Sequence, residues 1–196
     1  MGAGETGFDD AYDGTPPWDI GRPQRELVRL AEAGKITGDV LDVGCGTGEN
    51  ALWLADQGYT VCGLDASPRA IEKAERKAHE RGVDATFLTH DAFDLGALDR
   101  RFDTVVDCGL FHVFSGEERV STYTAELHTV LRPGGRCYVL GFTGHEPDHR
   151  GPSMTRAEVR AAFADGWEIE NIDEVVFETN FESGESPAWL ATVTRR

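Results

Sequence analysis

Residues 40–48 read Val40-Leu41-Asp42-Val43-Gly44-Cys45-Gly46-Thr47-Gly48, a short apolar run that leads into three glycines within five positions. The following residues, Glu49–Gln57, have the apolar spacing of a helix. When a buried strand turns into a helix through glycines, bare backbone lies at the carboxyl end of the strand, where ligands bind to open parallel sheets. The stretch therefore predicts an α/β sheet with a ligand-binding loop after its first strand.

The rest of the chain alternates helical and strand patterns. Helices are predicted at Arg25–Ala33, Glu49–Gln57, from the Ser67-Pro68 cap to Gly82, from a capping box at Ser115-Gly116-Glu117-Glu118 to Pro133, and from a second capping box at Thr155-Arg156-Ala157-Glu158. Strands are predicted at Asp39–Val43, Thr60–Leu64, Thr86–Thr89, Asp103–Asp107, Cys137–Phe142, Trp167–Phe177 and Ala188–Thr194. Alternation of this kind indicates a parallel sheet covered by helices on both faces. The last two strands have no helix between them, so they should form an antiparallel hairpin at one edge.

Length and charge limit the organisation and the partners. A chain of 196 residues is long enough for one buried core and too short for two full domains. Residues 1–21 are predicted to be a flexible lid segment, and residues 22–196 to be the folded domain. The formal charge of −16, from 35 acidic and 19 basic residues, repels phosphate backbones. Nucleic acid is therefore not expected as a partner.

The chain shows no sign of membrane insertion or of an oxidising compartment. It starts without a charged-then-apolar leader, and no apolar run reaches the roughly 18 residues of a membrane span, so a cytoplasmic protein without membrane contact is expected. Its cysteines are Cys45, Cys62, Cys108 and Cys137. None forms a C-x-x-C pair, so reduced core thiols are expected, with neither a disulfide framework nor a metal site.

A carboxylate at the end of the second strand indicates a nucleoside. Asp65 follows Gly48 by 17 positions, where a carboxylate can accept two hydrogen bonds from ribose hydroxyls. Glu49 occupies the place of the third glycine in a dinucleotide fingerprint, and an acid there has the wrong sign for a pyrophosphate. Asp42 carries the same sign and suits a cationic amino group. A ligand with a ribose, an ammonium group and no phosphate fits better, and S-adenosylmethionine is that ligand.

These residues carry a family resemblance. Leu41–Gly48 together with Asp65 resembles motif I and its acidic partner in the class I S-adenosylmethionine-dependent methyltransferases, and the resemblance extends from about Trp18 to the C-terminus. Leu131-Arg132-Pro133-Gly134-Gly135 is similar to that family's turn before the fifth strand. The resemblance implies a doubly wound, Rossmann-like sheet of seven strands in the order 3-2-1-4-5-7-6, with the last strand antiparallel. Pro16–Gly21 and Asp107–His112 resemble the small branch that contains thiopurine, tellurite-resistance and halide or thiol methyltransferases.

The resemblance also implies a set of site residues. The expected cofactor contacts are Trp18, Asp42, Gly44, Cys45, Gly46, Gly48, Asp65, Ala66, Asp91, Ala92 and Asp107. Asp91 would accept the adenine amino group, although a lone aspartate at a strand end can equally cap a helix. Trp18 would cover the sulfonium, and the alternative is an ordinary packing anchor.

Catalytic candidates follow the fourth strand, which should lie beside the first. They are Asp107 and His112, with Cys108 between them; His112 lies amid aromatic residues, where a structural role through a bond to a backbone carbonyl is the alternative. His145 and His149 could line the mouth of the site. An already ionised acceptor such as a thiolate needs only placement, whereas an alcohol needs a base.

The expected activity is methyl transfer to a small molecule, with S-adenosylhomocysteine as the other product. A thiol or an aromatic heterocycle is expected as the acceptor, in a detoxifying role. The alternatives are O- or N-methylation in a quinone-like or natural-product pathway, and a non-catalytic cofactor-binding module. A monomer or a homodimer is expected.

Overall fold

The computed structural model describes residues 9–144 and 151–196. Two short 3-10 turns, Leu95–Ala97 and Phe111–Val113, precede β4 and α4. In chain order the elements are α1 (Arg25–Glu32), β1 (Asp39–Val43), α2 (Glu49–Asp56), β2 (Thr60–Asp65), α3 (Pro68–Arg81), β3 (Thr86–Thr89), β4 (Phe102–Cys108), α4 (Glu117–Val130), β5 (Leu131–Phe142), α5 (Arg156–Ala162), β6 (Trp167–Glu178) and β7 (Glu185–Arg195).

All seven strands form one sheet in the order β3-β2-β1-β4-β5-β7-β6. The first five strands are parallel, and β7 pairs antiparallel with both β5 and β6. This confirms the predicted doubly wound sheet, its strand order and the hairpin at its edge. The chain winds to opposite sides from β1 and β4, so these neighbours flank the crevice in which such sheets bind ligands.

Both faces of the sheet are buried by helices. Successive residues of one strand face opposite cores: Val105 packs with Tyr123 of α4, whereas Val106 packs in the core that contains Leu52 of α2. The first core is completed by α5, and the second by α1 and α3. Strands buried on both faces need apolar residues at consecutive positions, and this explains the short apolar runs of the sequence.

Two of the three predicted helix N-caps are confirmed and one is wrong. Ser67 Oγ accepts the Ala70 N–H at 3.1 Å, and Thr155 forms the predicted capping box. In contrast, α4 begins after Gly116, whose φ is +87° and which carries no side-chain cap. Glycine meets this backbone requirement, so Ser115 caps nothing. The helix also ends at Val130, earlier than predicted, because β5 begins at once.

The cysteines and tryptophans differ in burial. All four cysteines are free thiols, as predicted, with Cys62 and Cys137 in the core but Cys45 and Cys108 partly exposed. Trp167 of β6 and the tryptophan of β7 are buried, as predicted. Among the described residues, no helix is long and apolar enough to cross a membrane, and no cluster of metal-ligating side chains is found.

Candidate active site

A cavity of about 1270 Å³ lies beyond the carboxyl ends of the parallel strands. Small-molecule pockets commonly occupy some 300–1,000 Å³. The cavity therefore has room for two small ligands side by side. Its wall includes Tyr12, Trp18, Gly44, Cys45, Gly46, Asp65, Ala66, Asp91, Ala92, Cys108, His112, Phe142, Phe177 and Phe181.

Two of the three loop glycines present backbone to the cavity. Gly44 and Gly46 have φ values of +69° and +54°, which L side chains rarely adopt. A Cβ on Gly44 would lie 3.0 Å from Leu110, and one on Gly46 would lie 2.9 Å from the Tyr12 hydroxyl. The loop therefore tolerates no side chain at either place.

Gly48 serves the fold instead of the cavity. A Cβ there would lie 2.9 Å from both Ala74 and Phe87, which belong to α3 and β3. This corrects the expected cofactor contact: the glycine lets the start of α2 approach the neighbouring helix and strand, and it lies outside the cavity wall.

Asp65 is hydrogen-bonded to two loops of the cavity wall, the glycine loop and the loop before α3. One carboxylate oxygen accepts the Gly46 N–H at 2.9 Å and the other accepts the Ser67 N–H at 2.8 Å. Burial raises the pKa of Asp65, and these two bonds oppose that rise. Each oxygen keeps a further lone pair, so the carboxylate can still accept hydrogen bonds from a ligand.

Asp91 begins a turn and lies in the cavity wall, and its predicted contact with the adenine amino group stays a prediction. Its carboxylate accepts the Phe93 N–H at 2.9 Å, as a residue that begins a turn does, and the residue is exposed in the cavity wall beside Ala92. The local bond orients the carboxylate without covering it.

Residues 9–21, which we name the strap, lie across the glycine loop. Trp18 Nε1 donates to the Tyr12 hydroxyl at 3.1 Å, and the two rings meet edge to face at 6.4 Å. Burial, followed by the charge of Asp65, raises the pKa of Tyr12, so its hydroxyl keeps its proton. The sequence predicts Trp18 in the site but gives no reason to select Tyr12, because its position depends on how the strap folds back.

Ion pairs hold the start of the strap to α3. Arg69 pairs with Asp9 at 2.8 Å, Asp10 at 3.1 Å and Asp13 at 3.3 Å, and Ser67 Oγ donates to Asp9 at 2.5 Å. Acidic side chains therefore attach the strap to α3. The predicted flexibility of residues 1–21 stays a prediction.

Asp42 lies behind the glycine loop. Its carboxylate oxygens are buried, reach no cavity surface and have no hydrogen-bond partner of good geometry among residues 9–144 and 151–196. The Ala51 N–H is near enough to favour the charged form slightly, but burial dominates and, with the charges of Asp107 and Asp65, raises the pKa of Asp42 to about 7. Asp42 is absent from the cavity wall, and its expected contact with a cationic amino group stays a prediction.

Asp107 is also internal. Its oxygens accept the Tyr123 hydroxyl at 2.6 Å and the N–H groups of Leu110 at 2.9 Å and Phe111 at 3.0 Å. Burial raises the pKa of Asp107 to about 6, and these bonds oppose the rise. The residue holds the turn after β4 in place and is fully buried. It is absent from the cavity wall, and its expected catalytic and cofactor-binding roles stay predictions.

Glu49 is neutralised by two cations. Lys77 donates to it at 2.7 Å and Arg81 at 2.8 Å. Burial raises the pKa of Glu49, but the bonds from Arg81 and Lys77 outweigh burial and lower it overall. The repulsion between Glu49 and a pyrophosphate is therefore weaker than the sequence predicts.

Comparison with known proteins decides the identity of the cavity. A family model for a methyltransferase domain matches residues 40–135. The 2-heptyl-1-hydroxyquinolin-4(1H)-one methyltransferase of Mycobacteroides abscessus is 40% identical over 161 residues, which cover 80% of this chain and 70% of the relative. The chain belongs to the methyltransferase family. With its strand order it is a class I methyltransferase, its cofactor is S-adenosylmethionine and its cofactor product is S-adenosylhomocysteine.

Two further relatives resemble this methyltransferase. A solved structure from a study of the conversion of a disulfide bond into a thioacetal group during echinomycin biosynthesis has 40% sequence identity and a TM-score of 0.89, over 97% of this chain and 92% of that chain. The probable thiol methyltransferase 2 of Arabidopsis thaliana is 30% identical over 140 residues, covering 69% of this chain and 61% of the relative.

His112 follows β4 and accepts a backbone hydrogen bond. Its Nδ1 accepts the Phe142 N–H at 3.2 Å, and its ring stacks on that of Phe142 with centroids 5.1 Å apart. The sequence predicts a donor to a carbonyl, whereas this bond has the opposite direction. An imidazole that accepts at Nδ1 carries its single hydrogen on Nε2 when neutral. His145 and His149, the other candidates, lie outside the described residues.

Aromatic rings of β5 and β6 line a second part of the cavity, away from the glycine loop. Phe142 and Phe177 have centroids 4.7 Å apart, and His112 packs against both. Cys108 lies in the same wall, and burial raises the pKa of its thiol, which therefore keeps its proton. Phe142 and Phe177 present flat apolar faces to the cavity.

Proposed function

We propose that this methyltransferase methylates an aromatic heterocycle on an acidic hydroxyl or thiol group of the ring, a group that is already ionised near neutral pH. The observation that carries the proposal is the hydrogen bond from the Phe142 N–H to His112 Nδ1, within an aromatic wall. This bond occupies Nδ1 of His112 and leaves the hydrogen of the neutral ring on Nε2.

The proposal assigns the cofactor to the half of the cavity under the strap. Asp65 accepts the ribose hydroxyls, and the bare backbone of Gly44 and Gly46 lies along the amino-acid part. Asp91 and Ala92 receive the adenine, and Trp18 covers the cofactor. When bound there, S-adenosylmethionine supplies an electrophilic methyl group to the acceptor half. Asp65 supports this assignment because it lies in the cavity wall and accepts the Gly46 N–H of the glycine loop.

Among the described residues, two polar groups beside the aromatic wall, His112 and Cys108, are poorly suited to remove a proton. A proton added to His112 Nδ1 would point at the Phe142 N–H, so this bond disfavours the imidazolium. The Cys108 thiol keeps its own proton because burial raises its pKa. An acceptor that arrives ionised needs neither group to remove a proton. His112 then donates from Nε2 to the acceptor anion and orients it.

The shape of the wall supports an aromatic acceptor. Stacked and tilted rings at 4.7–5.1 Å leave flat apolar faces, on which a planar heterocycle packs better than an aliphatic thiol. The relative from Mycobacteroides abscessus is named for a hydroxyquinolone, which has such a ring and an acidic hydroxyl. The plant relative, named as a probable thiol methyltransferase, supports a thiol as the acceptor group.

The test is a pH–rate profile with acceptors of different acidity. A 1-hydroxyquinolin-4-one, a heteroaromatic thiol and a simple phenol are compared, with methylated product detected directly. The rate should follow the ionisation of each acceptor, with the phenol slowest at neutral pH. His112→Gln should change the maximal rate by less than about tenfold on the ionised acceptors.

A general-base role for His112 gives a different result. The wild-type rate would rise around an imidazole-like pKa, that ionisation would vanish in His112→Gln, and the loss would be about 10²- to 10⁴-fold. That outcome would refute the proposal and favour O-methylation of neutral hydroxyls. Cofactor binding without product from any acceptor would favour a binding module.

A further inference from the structure

An exposed aromatic side chain lies at the rim of the cavity. Phe181 is 52% exposed, more than any other large hydrophobic residue of the described chain, yet it lines the cavity. Leaving a phenyl ring in water forgoes the favourable free energy of its burial. A ring kept at the rim of a ligand cavity is therefore a candidate ligand contact.

The loop that carries this ring is ordered by its own hydrogen bonds. Residues 179–184, which we name the hairpin tip, connect β6 to β7. The Thr179 N–H donates to Gly184 O at 2.9 Å, the Gly184 N–H donates to Phe181 O at 2.8 Å, and the Phe181 N–H donates to Thr179 Oγ1 at 3.3 Å. The backbone under the ring is thus fixed, which lowers the entropic cost of a contact there.

The hairpin tip is also bonded to the strap. The Asn180 N–H donates to Pro17 O at 2.7 Å, and Asn180 Nδ2 donates to Asp19 O at 2.6 Å. Strap and hairpin tip therefore form one roof, and Trp18 and Phe181 both lie in the wall of the cavity below it. The position of Phe181 is set from two directions.

Phe181 lies four residues beyond Phe177, and both rings line the cavity. Phe142 and Phe177 pack against His112 and form what we name the inner wall, and Phe181 is more exposed than either ring. A single ring stacked on the inner wall does not need the rim. An acceptor that carries an apolar chain or a second ring would extend the contact to Phe181. The neighbouring Glu182, also in the wall, disfavours a second anionic group there.

We infer that Phe181 is a specificity-determining residue, which packs against an apolar substituent of the acceptor and so selects alkyl- or aryl-substituted heterocycles over the bare ring. This inference rests on the proposed function for the identity of the ring. It adds the size and polarity of the acceptor, and it places their recognition on the hairpin tip.

The test is a comparison of two acceptors that differ by one alkyl chain. A 1-hydroxyquinolin-4-one and its alkylated counterpart are titrated by calorimetry into the protein saturated with S-adenosylhomocysteine, so that binding is measured without turnover. Wild type should bind the alkylated acceptor more tightly. Phe181→Ser should weaken that binding about tenfold, as loss of apolar contact does, and change binding of the bare ring less than about twofold. Phe181→Leu should restore most of the preference.

The control variant is Leu88→Ser, since Leu88 is 36% exposed on β3 and lies outside the cavity wall. It should leave both affinities unchanged. The inference is overturned if Phe181→Ser weakens both acceptors equally or neither, or if wild type shows no preference. Failure of the proposed function has a separate signature in the pH–rate profile of His112→Gln, which does not depend on the alkyl chain.

Discussion

Replacing Asp42 with asparagine should remove a large part of the pH dependence of stability. The carboxylate is buried without a well-formed hydrogen bond, and its burial raises its pKa from the ordinary value of 3.8 to about 7. The folded state therefore binds this proton more tightly than the unfolded state does. Stability from this group is complete below the unfolded pKa and is lost as the pH rises through about 7.

The magnitude follows from the width of that interval. One pKa unit corresponds to about 1.36 kcal/mol, so wild type should lose about 2–3 kcal/mol from this group between about pH 5 and pH 8. Asp42→Asn cannot lose it. The buried amide lacks partners too and costs about 1–3 kcal/mol, but that cost is the same at every pH and shifts the curve without tilting it.

The assay is urea unfolding of the cofactor-free protein across this pH range. Asp65 and Asp107 remain in both proteins, so their own titrations largely cancel from the difference. Asp84→Asn, which removes an exposed carboxylate, is the matched control and should run parallel to wild type. If the curve of Asp42→Asn is also parallel to wild type, the carboxylate is charged in the folded state and the reasoning from burial is wrong.

Three further changes test the loops around the cavity. Asp65→Asn should weaken S-adenosylmethionine binding by about 1.5–3 kcal/mol in calorimetry, the usual worth of charge-assisted hydrogen bonds; equal affinity in a folded variant would exclude it from the ribose site. Gly46→Ala and Gly58→Ala both place a side chain at positive φ, but only the first meets the tyrosine of the strap, so only Gly46→Ala should abolish cofactor binding; equal effects would refute the close approach. Tyr123→Phe removes the 2.6 Å bond to Asp107 and should lower the free energy of unfolding by about 1–3 kcal/mol; an unchanged urea midpoint would show that this bond is dispensable.

Much of the fold follows from local sequence. The short apolar strands and the two final strands without an intervening helix predict the doubly wound sheet and its hairpin, because burial on both faces leaves a clear pattern. The start of α4 was missed for a local reason: Gly116 takes a positive φ, and the neighbouring Ser115 only resembles a cap. Strand pairing then determined where β5 begins, and no local signal reports that.

The site was predictable where backbone chemistry determines it. Gly44, Gly46 and Asp65 lie in the cavity wall because a strand-to-helix turn and a strand end place them there. Asp42 and Asp107 lie at or beside the same strand ends but face inward, and sequence spacing does not show on which side of the loop a carboxylate lies. The contact between strap and hairpin tip could not be predicted from local sequence, because it joins two segments that are far apart in the chain.

The hydrogen bonds between hairpin tip and strap have a consequence for how acceptor preference can evolve. Asn180 donates to the main-chain carbonyls of Pro17 and Asp19, and every amino acid offers the same carbonyl. The two bonds across this contact therefore do not depend on which side chains the strap carries at Pro17 and Asp19. A library that varies Phe181, Glu182 and Ser183 of the hairpin tip and retains Asn180, Tyr12 and Trp18 would sample new acceptor shapes on a constant scaffold, with the cofactor half left as it is.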